Sequence, residues 1–302
     1  MRGIIPAVVL GELERRAGRH PSELFDVIAG TSTGSLLAMS MIIPGEDGRP
    51  RYRAATSADA YQSFAPKIFP RERWLQIRGL VHEKYSAAGL DAALREFLGD
   101  ARLSDALVHT LVPTYDLLSQ DIHVFDSAQA VSHAEEDILM RHVVRGATAA
   151  PTYFDPFVVE PPISDQKRVL VDGGLYANNP SMLALTQVAR RYQGSDVLVV
   201  SLGTGRTPSH AVSEDGQDWG LAQWAKPLFH IVANGTNKVI DLELQHFLGT
   251  ERYLRFQTEL PQECDLDDAT PKTFRDLRNL AEELILEKSG DLDRVCALLT
   301  RT

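Results

Sequence analysis

The chain has 302 residues, 44% apolar and 24% charged, close to an average soluble globular composition and enough to bury a core. A formal charge of −10 excludes general nucleic-acid binding, which depends on Lys and Arg at phosphates, and leaves any lipid contact to local segments. Cys264 and Cys296 are the only cysteines, with no CxxC pair and no metal-type spacing, so the chain reads as a reduced, cytoplasmic protein with no disulfide framework and no metal site. Its longest apolar stretch, Leu36 to Pro44, falls well short of the roughly 20 residues that span a bilayer, and the opening residues do not read as a signal peptide.

Pro6 to Arg16 reads as a helix, with proline in the first turn and Val9, Leu10 and Leu13 forming an apolar stripe. Leu24 to Ala29 reads as a buried strand running into a glycine turn and then a helix, Ser35 to Ile42. Residues 66–78 interleave Lys67, Arg71, Arg73 and Arg78 with Ile68, Phe69, Trp74, Leu75 and Ile77. That mixture suits peripheral contact with a membrane; the alternative is a surface segment whose apolar residues pack on the core. Leu107 to Pro113 and Ile122 to Phe125 are further strands. Arg168 to Val171 ends in Asp172-Gly173-Gly174, and Asp196 to Leu202 ends in Gly203-Thr204-Gly205. Glycine turns at the carboxyl ends of strands are where open α/β sheets bind ligands. Asp265, Asp267 and Asp268 read as a solvated capping loop before a helix from Pro271 through Glu287, rather than as a metal site. With no repeat, low-complexity run or linker, the alternation predicts one layered α/β domain over residues 1–302, with a largely parallel central sheet and helices on both faces.

Gly30-Thr31-Ser32-Thr33-Gly34 lies between a strand and a helix, the setting in which GxSxG becomes a nucleophile elbow. Such a turn strains the serine backbone and demands small residues two positions to either side, which Gly30 and Gly34 provide. The helix that follows adds partial positive charge where an oxyanion forms. A serine hydroxyl needs a base. His210, His230 and His246 follow Asp172, so a Ser–Asp–His order is open, but none of the nine histidines stands at a strand end beside a glycine turn. Asp172 does stand there; the competing reading is a tight Asp-Gly turn.

Taken together, GTSTG and the DGG 140 residues later resemble the patatin-like family. Arg145 to Phe154 resembles that family's RATSAAPTYF segment, departing at Gly146, Ala147 and Thr148. Asp172 to Pro180 is similar to its DGGxxANNP block, where Asn179 is expected to cap a helix with Pro180 in first position. Ser201 to Gly205 is similar to its SLGTG strand end. The resemblance implies a three-layer patatin-like fold and a Ser–Asp dyad, with Ser32 as nucleophile, Asp172 as base and Gly30, Gly34, Gly173 and Gly174 shaping the turns. It further implies hydrolysis of acyl esters of phospholipids or other glycerolipids through an acyl-enzyme, of phospholipase A or lysophospholipase type, with no cofactor and no metal. The alternatives are a general carboxylesterase with a Ser–Asp–His triad and a catalytically silent scaffold or sensor on the same fold.

One departure concerns the oxyanion. The family carries a DGGGxRG loop after its first strand, and Met1-Arg2-Gly3-Ile4-Ile5-Pro6 resembles only the end of it. The expectation is a domain lacking that strand and most of the loop, with Gly3 and the Thr33 N–H left as oxyanion donors. The reading frame upstream of Met1 is expected to encode the missing strand.

Overall fold

The computed structural model describes residues 1–69, 85–160, 163, 166–206, 221–261, 264–265 and 267–300, side chains of 221–230 excepted. Helix α1 (Ile4–Ala17) forms because Ile5, Val9 and Leu13 recur at helical spacing, and all three are buried against α4 (Ala54–Ile68) and α10 (Pro271–Glu287). The buried strand expected from Leu24 is shorter. Pro21 opens a one-turn helix, α2 (Pro21–Leu24), whose cap His20 accepts from the Ser22 N–H at 3.2 Å, and β1 covers only Val27–Ala29. Then come α3 (Thr33–Ile42), α5 (Ala87–Leu98), the hairpin β2 (His109–Asp116) and β3 (Asp121–Asp126), and α6 (Ser127–Ser132). Helix α7 (Met140–Ala147), β4 (Phe157–Val159), β5 (Arg168–Asp172), α8 (Ser181–Arg191) and β6 (Val199–Leu202) follow. Helix α9 (Leu221–Arg252), β7 (Tyr253–Phe256), α10 and α11 (Ser289–Leu299) complete the chain's order.

The α/β class holds: a central sheet is surrounded by helices, and one apolar core cluster extends from Ile4 to Cys296. The sheet is mixed rather than largely parallel. Strands β1 and β2 are parallel, as are β6 and β7 in a separate two-stranded sheet, whereas β2 pairs antiparallel with β3 and β5, and β4 with β5. The reason lies along β2. Strand β3 occupies one edge of it from Leu111 to Asp116, and a strand has only two edges. Both β1, at His109 to Leu111, and β5, at Thr114 to Asp116, therefore share the other edge. Running in opposite directions, they finish facing each other across Pro113. That meeting point holds Ser32 and Asp172.

At the tail, the loop before α10 caps that helix as expected: Thr270 accepts from the Thr273 N–H at 3.0 Å, and Asp268 accepts from the Thr270 N–H and the Thr273 hydroxyl. Asp267 accepts from the Tyr85 hydroxyl at 2.6 Å. No described helix is long and apolar enough to cross a membrane.

Candidate active site

Ser32 leads from β1 into α3 with φ 53° and ψ −127°, a left-handed conformation that side-chain-bearing residues rarely adopt and that costs about 1–3 kcal/mol. Three contacts hold it there. The Gly30 N–H donates to Leu111 O (3.1 Å), the Gly34 N–H to Thr31 O (2.8 Å), and the Thr31 hydroxyl to Ala177 O (2.7 Å). A Cβ on Gly30 would stand 2.2 Å from Gly34 O, so glycine is required there. Gly34 is different. A Cβ at that position meets nothing within 4 Å, which corrects the expectation that both flanks of the elbow must be small.

Asp172 ends β5, and Gly173 lets the chain turn sharply: its Cβ would lie 2.2 Å from Pro113 O. Gly174 is close-fitting as well, and its N–H donates to Asp172 Oδ1 at 2.7 Å. The carboxylate is 5% exposed, and the Ser32 hydroxyl beside it favours its charged form. Burial pushes its pKa up to about 6, because desolvation disfavours the charged form more than the bonds from Ser32 and Gly174 favour it. A carboxylate in this range accepts a proton near neutral pH far better than an exposed one.

The segment that precedes β4 packs against the strand that carries this carboxylate. Ala149 O accepts from the Asp172 N–H at 3.1 Å, and Gly146 lies against Leu170. Arg145, 3% exposed, reaches Asp91 at 3.1 Å and packs its guanidinium over Phe154 and Phe157. Asn179 does more than cap. Pro180, not Asn179, sits at the cap position of α8, while Asn179 Oδ1 accepts from the Ser181 N–H and hydroxyl. Its amide also meets Asp241 and the Tyr253 hydroxyl, so one buried side chain joins α8, α9 and β7, and reaches β6 through Ser201.

Gly3 lies directly against the elbow: a Cβ there would be 2.6 Å from Thr33 Oγ1. The start of α1 thus approaches the residue after Ser32, and Tyr61, which the sequence did not single out, steadies it by donating to Thr33 O at 2.6 Å. The Thr33 N–H opens α3 and, like the first N–H groups of any helix, has no acceptor within it. Of the three histidines weighed as partners, His246 is exposed on α9 beside Phe247. His210 and the side chain of His230 lie outside the described residues. His109 lines the same cavity but is bound to Asp126 at 2.8 Å.

Ser32 and Asp172 line a cavity of about 1370 Å³ whose walls include Leu37, Met41, Phe64 and Leu94. Ile68 and Phe69, from the segment weighed as a membrane contact, pack on the core, Phe69 meeting Tyr85 and Phe154 at 5.1 and 5.9 Å. Residues 70–78 of that segment, Trp74 included, lie outside the described residues.

A family model described as Patatin-like phospholipase matches residues 1–185. Patatin-like protein 2 of Arabidopsis thaliana is 30% identical over 326 residues, covering 94% of this chain and 80% of that protein. Patatin-like protein 1 of Oryza sativa subsp. indica is 28% identical, with 95% and 79% covered. A Solanum tuberosum protein described as Probable inactive patatin-3-Kuras 1 is 30% identical, with 85% and 75% covered. Among solved structures, VipD from Legionella pneumophila overlays at a TM-score of 0.38 and 11% identity, covering 95% of this chain and 65% of that one, too loose a likeness to argue from.

Proposed function

The chain belongs to the patatin-like phospholipase family, and from that premise we propose that it is a serine lipid acyl hydrolase working through Ser32 and Asp172 alone. The observation that carries this reading is a strained elbow serine facing the same cavity as a buried carboxylate whose pKa burial has pushed to about 6. Asp172 takes the Ser32 proton as Oγ attacks the acyl carbonyl. The resulting oxyanion faces the Thr33 N–H and the start of α1 at Gly3. Asp172 then returns the proton to the departing alcohol, leaving an acyl-serine, and the same carboxylate activates water to release the fatty acid. The apolar side of the cavity suits an acyl chain, with phospholipids or other glycerolipids as the substrate class. Contact with a lipid surface through the basic and aromatic residues of 70–78 belongs to the same reading.

Ser32→Ala is expected to abolish hydrolysis of p-nitrophenyl butyrate and labelling by a fluorophosphonate probe. Labelling retained at another serine would overturn the assignment. A second reading, a catalytically silent member of the family, draws on the likeness to the potato protein described as probably inactive. It is favoured if the unaltered, folded chain neither reacts with the probe nor hydrolyses the ester.

A further inference from the structure

Two hydroxyls grip the backbone on either side of Thr33. Ser35, fully buried in the first turn of α3, donates its side chain to Ser32 O at 2.6 Å, and its own N–H reaches the same oxygen at 2.9 Å. One peptide unit further on, Thr33 O accepts from the Tyr61 hydroxyl of α4 at 2.6 Å. Tyr61 is 5% exposed, and burial raises its phenol above the ordinary range, so at neutral pH the group is a donor.

Neither bond is needed to complete the helix. Thr33 O is the carbonyl that the Leu37 N–H reaches in a regular helix, and Ser32 O already has the Ser35 N–H. The two extra bonds fix direction instead. A trans peptide is planar, with N–H and C=O pointing opposite ways, so holding Ser32 O in the first turn of α3 aims the Thr33 N–H out of the helix start. Thr33 lines the cavity beside Ser32. Holding Thr33 O as well leaves the backbone of Thr33 little play, next to a serine whose own φ of 53° relaxes unless it is held. The Tyr61 ring also meets the start of α1: a Cβ on Gly3 would stand 2.8 Å from its Cζ and 2.6 Å from Thr33 Oγ1. Tyr61 therefore spaces the two backbone segments, at Gly3 and Thr33, that the proposed oxyanion faces.

We propose that Tyr61 and Ser35 are positioning residues for the hydrolysis, which together hold the Thr33 N–H in line with the oxyanion. Neither supplies a donor to the oxyanion itself. A donor aimed in advance needs no reorganisation as negative charge forms, so it acts on the transition state more than on the bound ester. The inference rests on the hydrolytic reading, and its test separates the two.

Tyr61→Phe removes one oxygen and keeps the ring beside Gly3. Ser35→Ala removes one oxygen at a helical position, where alanine is the better helix former. Hydrolysis of p-nitrophenyl butyrate by the unaltered chain and both variants is followed across pH, together with inhibition by a trifluoromethyl ketone, whose hemiketal oxygen takes the oxyanion's place. Deleting an oxyanion donor costs roughly 100- to 1,000-fold, and misaiming one costs less. Each variant is expected to lose about tenfold in kcat with KM within about twofold of the unaltered chain, and to bind the ketone about tenfold more weakly. The rise of rate with pH is expected to keep its midpoint, because the two hydroxyls bond to Ser32 O and Thr33 O and not to Asp172. If one variant fails to fold, the other carries the same comparison. No turnover by the unaltered chain overturns the hydrolytic reading and this inference with it. With that chain active, an unchanged kcat in either folded variant overturns this inference alone, and so does a loss confined to KM or a midpoint that moves.

Discussion

Under the proposed mechanism, Asp172 couples function to stability through one proton. Its folded pKa of about 6 lies above the ordinary 3.8, so folding favours the neutral acid. The stabilising contribution is complete below the ordinary pKa and is lost as pH rises through about 6, where the buried carboxylate ionises. Raising a pKa by about two corresponds to about 3 kcal/mol. Asp172→Asn is thus expected to be more stable than the parent at pH 7 by up to about that amount, with the difference closing near pH 4. Urea titrations at the two pH values measure it, and an equal difference at both would contradict burial as the cause. In the unaltered chain, the proposed acylation should rise with pH through about 6 and then level off. The glycines of the elbow separate just as clearly. Gly30→Ala forces a Cβ against Gly34 O and is expected to cost about 2 kcal/mol or more, whereas Gly34→Ala, in open space in the first turn of α3, should change stability by under about 1 kcal/mol. Thermal unfolding of the pair decides it, and similar losses at both would mean that the two flanks are equivalent after all. At this scale the sequence was readable where chemistry dictates residue type. Ser32 and Asp172 stand at strand ends beside glycines, and the structure brings them together. Tyr61 and Ala149 were not legible, because each acts through a long-range bond that no local pattern marks.

Among the elements, the runs with clear periodicity were legible. Helix α10 spans Pro271–Glu287 as expected, and α1 and α3 exceed their expected bounds by about one turn or less. Helix α4 was not, and Pro66 sits inside its last turn, where its ring removes one N–H bond to the preceding turn. Strand direction was hidden for a different reason. The sequence shows β1 and β5 each ending in a glycine turn, but not that both use one edge of β2 and therefore meet end to end. That antiparallel pairing, which the parallel-sheet expectation missed, is what delivers Asp172 to Ser32. Asn179 holds the neighbouring elements in register, and Asn179→Ala would leave buried groups on Ser181, Ser201 and Tyr253 short of a partner. A loss of about 1–3 kcal/mol is expected by urea unfolding, since an unsatisfied buried polar group costs that much. A loss under about 0.5 kcal/mol would show that the network is dispensable.

For the molecule as a whole, family and α/β class could be read from four motifs spread between Gly30 and Gly205, and the matched family model agrees with that reading. The cavity could not, because it arises where two sheets fail to touch, and neither sheet's sequence records the distance to the other. The same cavity sets Ser32 and Asp172 at the edge of an apolar space with no described imidazole bonded to either, which makes a two-residue mechanism the central claim. The most direct test is to quench a reaction with p-nitrophenyl butyrate in acid within the first turnovers and locate the added butyryl group by peptide mass spectrometry. The account predicts acylation on Ser32, absent in Asp172→Asn and unaffected by His109→Ala, His230→Ala or His246→Ala. Acyl transfer to another residue, or full acylation of Ser32 without Asp172, would contradict it.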